Sequence, residues 1–189
     1  MTRDNLKITL SILTAIFCVL LIAPSTANAQ RRNSLTEMEA DLVRDAQEID
    51  RRTEVFVKAI DRRFLALNND ASQSRQIAKD LDKWGELPIG THLQLFTDIK
   101  KILAEAIDNI DDVAEHSKQD EKLFPKAVRK LAEASQKYLL QLKSALDKTT
   151  DEKEKGAILA SIESCEQIIE ASAKVPKEEA KQEKKKKSR

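Results

Sequence analysis

Glycine and proline constrain this chain most, because it has so few of them: three and four in 189 residues. Between Gln30 and Ala173 they fall only at Gly85, Pro88, Gly90, Pro125 and Gly156. Sandwiches, barrels and doubly wound sheets need many tight turns, and tight turns draw on those residues. Long helices are what remains. The rest of the composition agrees, with 34% charged and 4% aromatic residues, and with Ala, Leu, Ile, Glu and Lys prominent. A formal net charge of +1 gives no general electrostatic case for nucleic acid, and no specific nucleic-acid partner is expected.

Residues 1–29 read as a secretory signal peptide. Arg3 and Lys7 form a basic start, Ile8 to Ala23 is an apolar run, and Pro24 ends it. Ala27-Asn28-Ala29 then supplies the small-x-small cleavage pattern before Gln30. The apolar run would span about 24 Å as a helix, short of a hydrocarbon core of roughly 30 Å, so a membrane-spanning anchor is not expected. Removing this segment takes Cys18 with it and leaves one thiol, Cys165. A mature chain with one cysteine has no internal disulfide, although it enters an oxidising compartment. Exported, meaning periplasmic or secreted, is the expected location.

After a short linker at 30–33, residues 34–173 read at helical period. Ser34-Leu35-Thr36-Glu37 fits a capping box. Leu35, Met38, Leu42, Ala46, Ile49, Phe56, Ile60 and Leu67 then recur at threes and fours, with Thr53 filling one slot. That pattern predicts a first helix of about 50 Å, running to Asn68. A short helix over 72–84 places Ile77 and Leu81 inward, and 85–90 is a loop. Thr91 caps a third helix carrying Phe96, Ile99, Leu103, Ala106, Ile110 and Val113. The Asp120 region caps a fourth, with Pro125 in its first turn, carrying Val128, Leu131, Tyr138 and Leu142. Asp151 opens a fifth with Ile158, Ile162, Cys165 and Ile169. The fold class predicted is all-α: an antiparallel up-and-down bundle of about four long helices plus one short. The overhang of the first helix makes it partly coiled-coil-like. Residues 174–189 hold eight basic and three acidic residues and almost no apolar ones, which predicts a disordered lysine-rich tail. Near-neutrality is then an average over a body at −5 and a tail at +5.

Candidate functional residues are few. Ile-Asp-Arg-Arg occurs at 49–52 and again at 60–63, and eleven residues bring both copies to one helix face. With Arg44, Arg51, Lys58 and Arg62 in phase, a basic ridge for an anionic partner competes with an ordinary ion-paired face. Trp84 is either a plug over the bundle end or a partner-binding knob. Lys184, Lys185, Lys186 and Lys187 in the tail suit weak contact with anionic lipid or polymer. His92 and His116 are separated by 24 residues, about 36 Å of helix, so they share no site within one subunit. Asp112 and His116 are one turn apart, but no Glu-x-x-His pair for a di-metal bundle occurs, and no metal or cofactor site is expected. No Cys-x-x-Cys-His for haem attachment, phosphate loop or nucleophile elbow is present. Met38 and Cys165 read as core filler. No catalytic residue is nominated. The expectation is a non-enzymatic interaction, scaffold or chaperone-like protein of the cell envelope, acting on a protein partner or on itself. The alternative is a four-helix bundle that binds a small ligand or a metal.

Overall fold

The computed structural model describes residues 33–68, 80–116 and 123–175. They contain no strand and include the helices α1 (Glu37–Asp45), α2 (Ile49–Asn68), α3 (His92–His116), α4 (Phe124–Leu146) and α5 (Glu152–Lys174), and residues 80–84 are helical as well. The chain is an all-α helical bundle. The N-terminal 29 residues, the Asn69–Asp70 break, Ile77, the Asp120 region and the tail lysines 184–187 lie outside the described residues.

The caps follow local chemistry. Thr91 Oγ1 accepts from the Gln94 amide at 3.2 Å, and Gln94 Oε1 accepts from the Thr91 amide at 2.9 Å. This reciprocal pair satisfies two donors that a helix start leaves open. Asp151 Oδ1 accepts from the Lys153 and Glu154 amides, so α5 starts where expected. α4 starts from Leu123 with no side-chain cap, rather than from the Asp120 region, and Pro125 sits in its first turn, where its missing donor costs nothing. Gly156 lies on the exposed side of α5, with nothing within 4 Å of where a Cβ would stand. Gly156→Ala is therefore expected to stabilise the fold by about 0.5–1 kcal/mol, through the helix propensity it restores. Urea unfolding of the variant checks this.

The first helix is not continuous. It breaks at 46–48, where Ala46 is extended (φ −76°, ψ 92°) and its carbonyl accepts from Arg52 Nε at 3.0 Å. The capping box is also two residues later than expected, between Thr36 and Glu39 rather than Ser34 and Glu37. One contact accounts for both departures. Glu39 Oε1 accepts from Arg62 Nε at 2.9 Å, whereas 23 residues of unbroken helix would hold the two about 34 Å apart. The chain must double back for them to meet. Turning Glu39 inward turns Met38 outward to 40% exposure, so Met38 is not core filler.

Helix directions follow from cross-helix pairs. Asp50–Lys126, Glu54–Lys130 and Asp61–Lys137 share one offset of 76 residues, so α2 and α4 run parallel. Arg52, early in α2, donates to Asn109, late in α3, at 2.8 Å, so α2 and α3 are antiparallel. The short 147–151 connection makes α4 and α5 antiparallel. Directions alternate along the chain, but the lateral order is not sequential. Both α2 and α5 pack on α3 and α4, which places α3 and α4 on one diagonal, in light contact, and α2 opposite α5. α1 packs on α2.

The core is the apolar stripe of each helix. Phe56, Ile60, Ile99, Leu103, Leu131, Leu142 and Ile158 are each at most 1% exposed. Tyr138 is buried with its hydroxyl satisfied, donating to the Val57 carbonyl at 2.9 Å, and its ring stacks on Phe64 at 5.4 Å between centroids. Leu81 is 45% exposed rather than inward. Residues 80–84 are helical, in the place of the expected short helix, and this end buries Trp84 and stops at Gly85, whose φ of +68° gives the left-handed cap that favours glycine.

Candidate functional site: a groove beside a buried arginine pair

The strongest electrostatic feature lies inside the molecule. Arg62 and Arg63 are each 1% exposed and Glu39 is fully buried. Arg63 Nη1 donates to Glu39 Oε1 at 2.6 Å and to the Ala59 carbonyl at 2.8 Å, and its Nη2 donates to the Ser34 carbonyl. Arg62 Nη2 donates to the Gly85 carbonyl at 3.2 Å and to the Glu86 carbonyl. Glu39 Oε2 accepts from the Thr36 amide at 2.9 Å. Burial alone would raise the Glu39 carboxyl. The hydrogen bond and charge of Arg63, the Thr36 amide and the Arg62 charge outweigh it and hold the group below its ordinary range. One carboxylate and the carbonyls of Ser34, Gly85 and Glu86 thus fasten the start of the fold, α1 and the 85–86 turn to the last third of α2. Arg63 Nε finds no protein partner.

A groove of about 550 Å³ runs beside this node, between α1 and α2. Leu42, Val55 and Trp84 supply its apolar lining, and Asp45, Glu48, Arg51 and Lys83 add both signs of charge. Two cations lie near the Trp84 ring: the Arg62 guanidinium carbon is 6.0 Å from its centre, and Lys83 Nζ is 5.9 Å away.

The nominated residues separate. Arg51 and Trp84 meet at this groove. Arg51 is exposed and pairs with Glu54 at 3.2 Å, while Trp84 is 8% exposed and so is not a projecting knob. Arg44 is exposed on α1 and pairs with Asp41. Lys58 is half-buried and bridges to Asp80 at 2.5 Å. Arg62 points into the protein. A ridge through Arg44, Arg51, Lys58 and Arg62 needs one straight helix and four outward side chains. The break at 46–48 removes the first condition, and Glu39 removes the second.

Glu39 and Arg63 were not anticipated as important. Their signal was the second Ile-Asp-Arg-Arg, whose double arginine comes two and three residues after Ile60 of the inward stripe. The first copy behaves differently: Asp50 is 2% exposed and pairs with Lys126, Arg51 faces water, and Arg52 reaches Ala46 and Asn109.

His92 and His116 are the first and last residues of the unbroken α3. His116 Nδ1 lies 3.2 Å from Asp112 Oδ1, with both side chains exposed. Among the described residues no three metal-binding side chains gather. Cys165 is fully buried, and burial pushes its thiol up to about 11, against a smaller lowering from the Ser135 hydroxyl. Thiolate is the reactive form, so a disulfide reagent such as 5,5′-dithiobis(2-nitrobenzoate) is expected to leave Cys165 unmodified until the protein is unfolded. Rapid labelling of the native protein would contradict that placement. No described helix is long and apolar enough to cross a membrane. No protein-family model, curated protein or solved structure matches this chain.

Proposed function

We propose that this is an exported helical-bundle protein, periplasmic or secreted, that acts without turnover as a scaffold, adaptor or chaperone-like partner of other envelope proteins. The observation that carries the reading is the α1–α2 groove, where Arg51 and Trp84 converge on an apolar lining. A groove with an apolar floor and charges of both signs suits one face of an amphipathic partner segment, whose apolar residues fill the floor. The buried node stabilises both walls of that groove before any partner arrives, which lowers the ordering cost of binding. The deeply buried Cys165 and the histidines at opposite ends of α3 fit a role that rests on surface rather than on chemistry. The signal-peptide pattern of residues 1–29 supports export. Lys184 to Lys187 would add weak attraction to an anionic lipid or polymer, about 1 kcal/mol per basic residue at a charged surface.

The test is site-specific photo-crosslinking in the cell envelope. A crosslinking residue at Gln47, in the groove, is compared with one at Gln136, exposed on α4. A discrete adduct with one partner from Gln47 alone is the expected result. Identical adducts from both positions, or none from either, would remove the groove as the working surface.

A further inference from the structure

We propose that the opposite end of the bundle carries a separate binding site, a cleft for a small uncharged amphiphile. The cleft lies where α2 and α4 finish and α3 and α5 begin, and it holds about 730 Å³. Small-molecule sites occupy roughly 300–1,000 Å³. Its apolar lining is Phe64, Leu67, Phe96 and Leu140. Leu140 is 74% exposed, although the other exposed positions of α4 are polar. An apolar ligand body lying in the cleft would take this side chain out of water.

Part of the polar lining is uncharged, and the charged part carries both signs. Asn68, Gln141, Ser144 and Thr150 present carboxamides and hydroxyls, which donate and accept without a net charge. Both carboxylates at the rim are already engaged. Asp151 Oδ1 accepts from the Lys153 and Glu154 amides at 2.7 and 3.1 Å, and Glu154 Oε2 accepts from the Thr149 hydroxyl at 2.6 Å. An anionic head would meet those two carboxylates. A cationic head would meet the Lys148 ammonium, which shares the rim. An uncharged head bearing several hydroxyls meets neither penalty and finds partners among the amides. The chemistry is therefore an alkyl or ring body joined to a polyol or sugar head. This site is independent of the α1–α2 groove.

Octyl glucoside, used below its micelle concentration, is a suitable probe for calorimetry and thermal unfolding of the mature chain. Glucose, octanoate and octyltrimethylammonium serve as the other arms. The proposal expects one saturable site for octyl glucoside and a melting temperature that rises with its concentration. It also expects binding at least tenfold weaker for each of the other three. Leu140→Glu should weaken octyl glucoside binding at least tenfold. Leu159→Glu, at a 52% exposed position of α5 outside the cleft, should leave it unchanged. Both substitutions are at exposed sites, and circular dichroism confirms that each variant is folded. No saturable binding, equal binding by the two variants, or equal binding of the charged amphiphiles would overturn the proposal.

Discussion

Glu39→Gln is expected to destabilise the fold by about 3–5 kcal/mol, the cost typical of removing one partner from a buried ion pair. Glutamine keeps the length of the side chain and an oxygen for the Thr36 amide, so the lost quantity is the charge. Two guanidinium groups, each 1% exposed, would then share the interior with carbonyl oxygens alone. Urea unfolding followed by fluorescence reads this well, because Trp84 is the chain's only tryptophan and it sits 6.0 Å from Arg62. The native emission should also shift to the red as the 84–86 turn loosens from Arg62. Acid gives a second reading. The folded-state pKa of Glu39 lies below its ordinary value of 4.5, so its contribution is full above that value and falls as pH drops toward the lowered one. The gap in stability between the wild type and Glu39→Gln should therefore narrow in acid. A gap under about 1 kcal/mol at pH 7 would mean that the node contributes little.

Leu103→Ala is expected to cost about 2–5 kcal/mol by another route, loss of apolar contact plus a cavity. Leu103 is fully buried in the middle of α3, the helix that packs on both α2 and α5. The two substitutions should differ in what the tryptophan reports. Leu103→Ala should lower the unfolding midpoint while leaving native emission near that of the wild type, since Trp84 lies outside the central core cluster. A red shift as large as that of Glu39→Gln would show the two regions to be one cooperative unit.

The last three helices were legible, apart from the uncapped start of α4 at Leu123, because nothing there competes with the pattern. Thr91 and Asp151 cap where a hydroxyl and a carboxylate precede a helical run. Ile99, Leu103, Leu131, Tyr138, Leu142 and Ile158 are buried where the three-four spacing put them. The first helix was not legible. Asp45-Ala46-Gln47-Glu48 contains no glycine or proline and is compatible with a helix. The break there is imposed from a distance, by a pair of arginines that need an anion and find it 23 residues upstream. Periodicity treats arginine as outward-facing, so it assigned Met38 to the core and left Glu39 in water. The same assumption put Arg62 on a surface ridge. Trp84 was half legible: its plug reading agrees with its burial, while its neighbour Ile89, at 85% exposure, is the apolar side chain of that segment that meets water. The lateral order of the bundle carried no sequence signal, because alternating directions fit more than one arrangement of four helices.

The most direct test of the folded-back α1 is a distance between spin labels at Asp41 and Leu65, measured by pulsed electron paramagnetic resonance. With Glu39 seated on Arg62 and Arg63, the labels should lie within roughly 20 Å of each other. In a continuous helix, 24 residues would hold them about 36 Å apart. A narrow distribution at the short distance that lengthens in Glu39→Gln is the predicted result. A single population near 36 Å in the unmutated chain would contradict it.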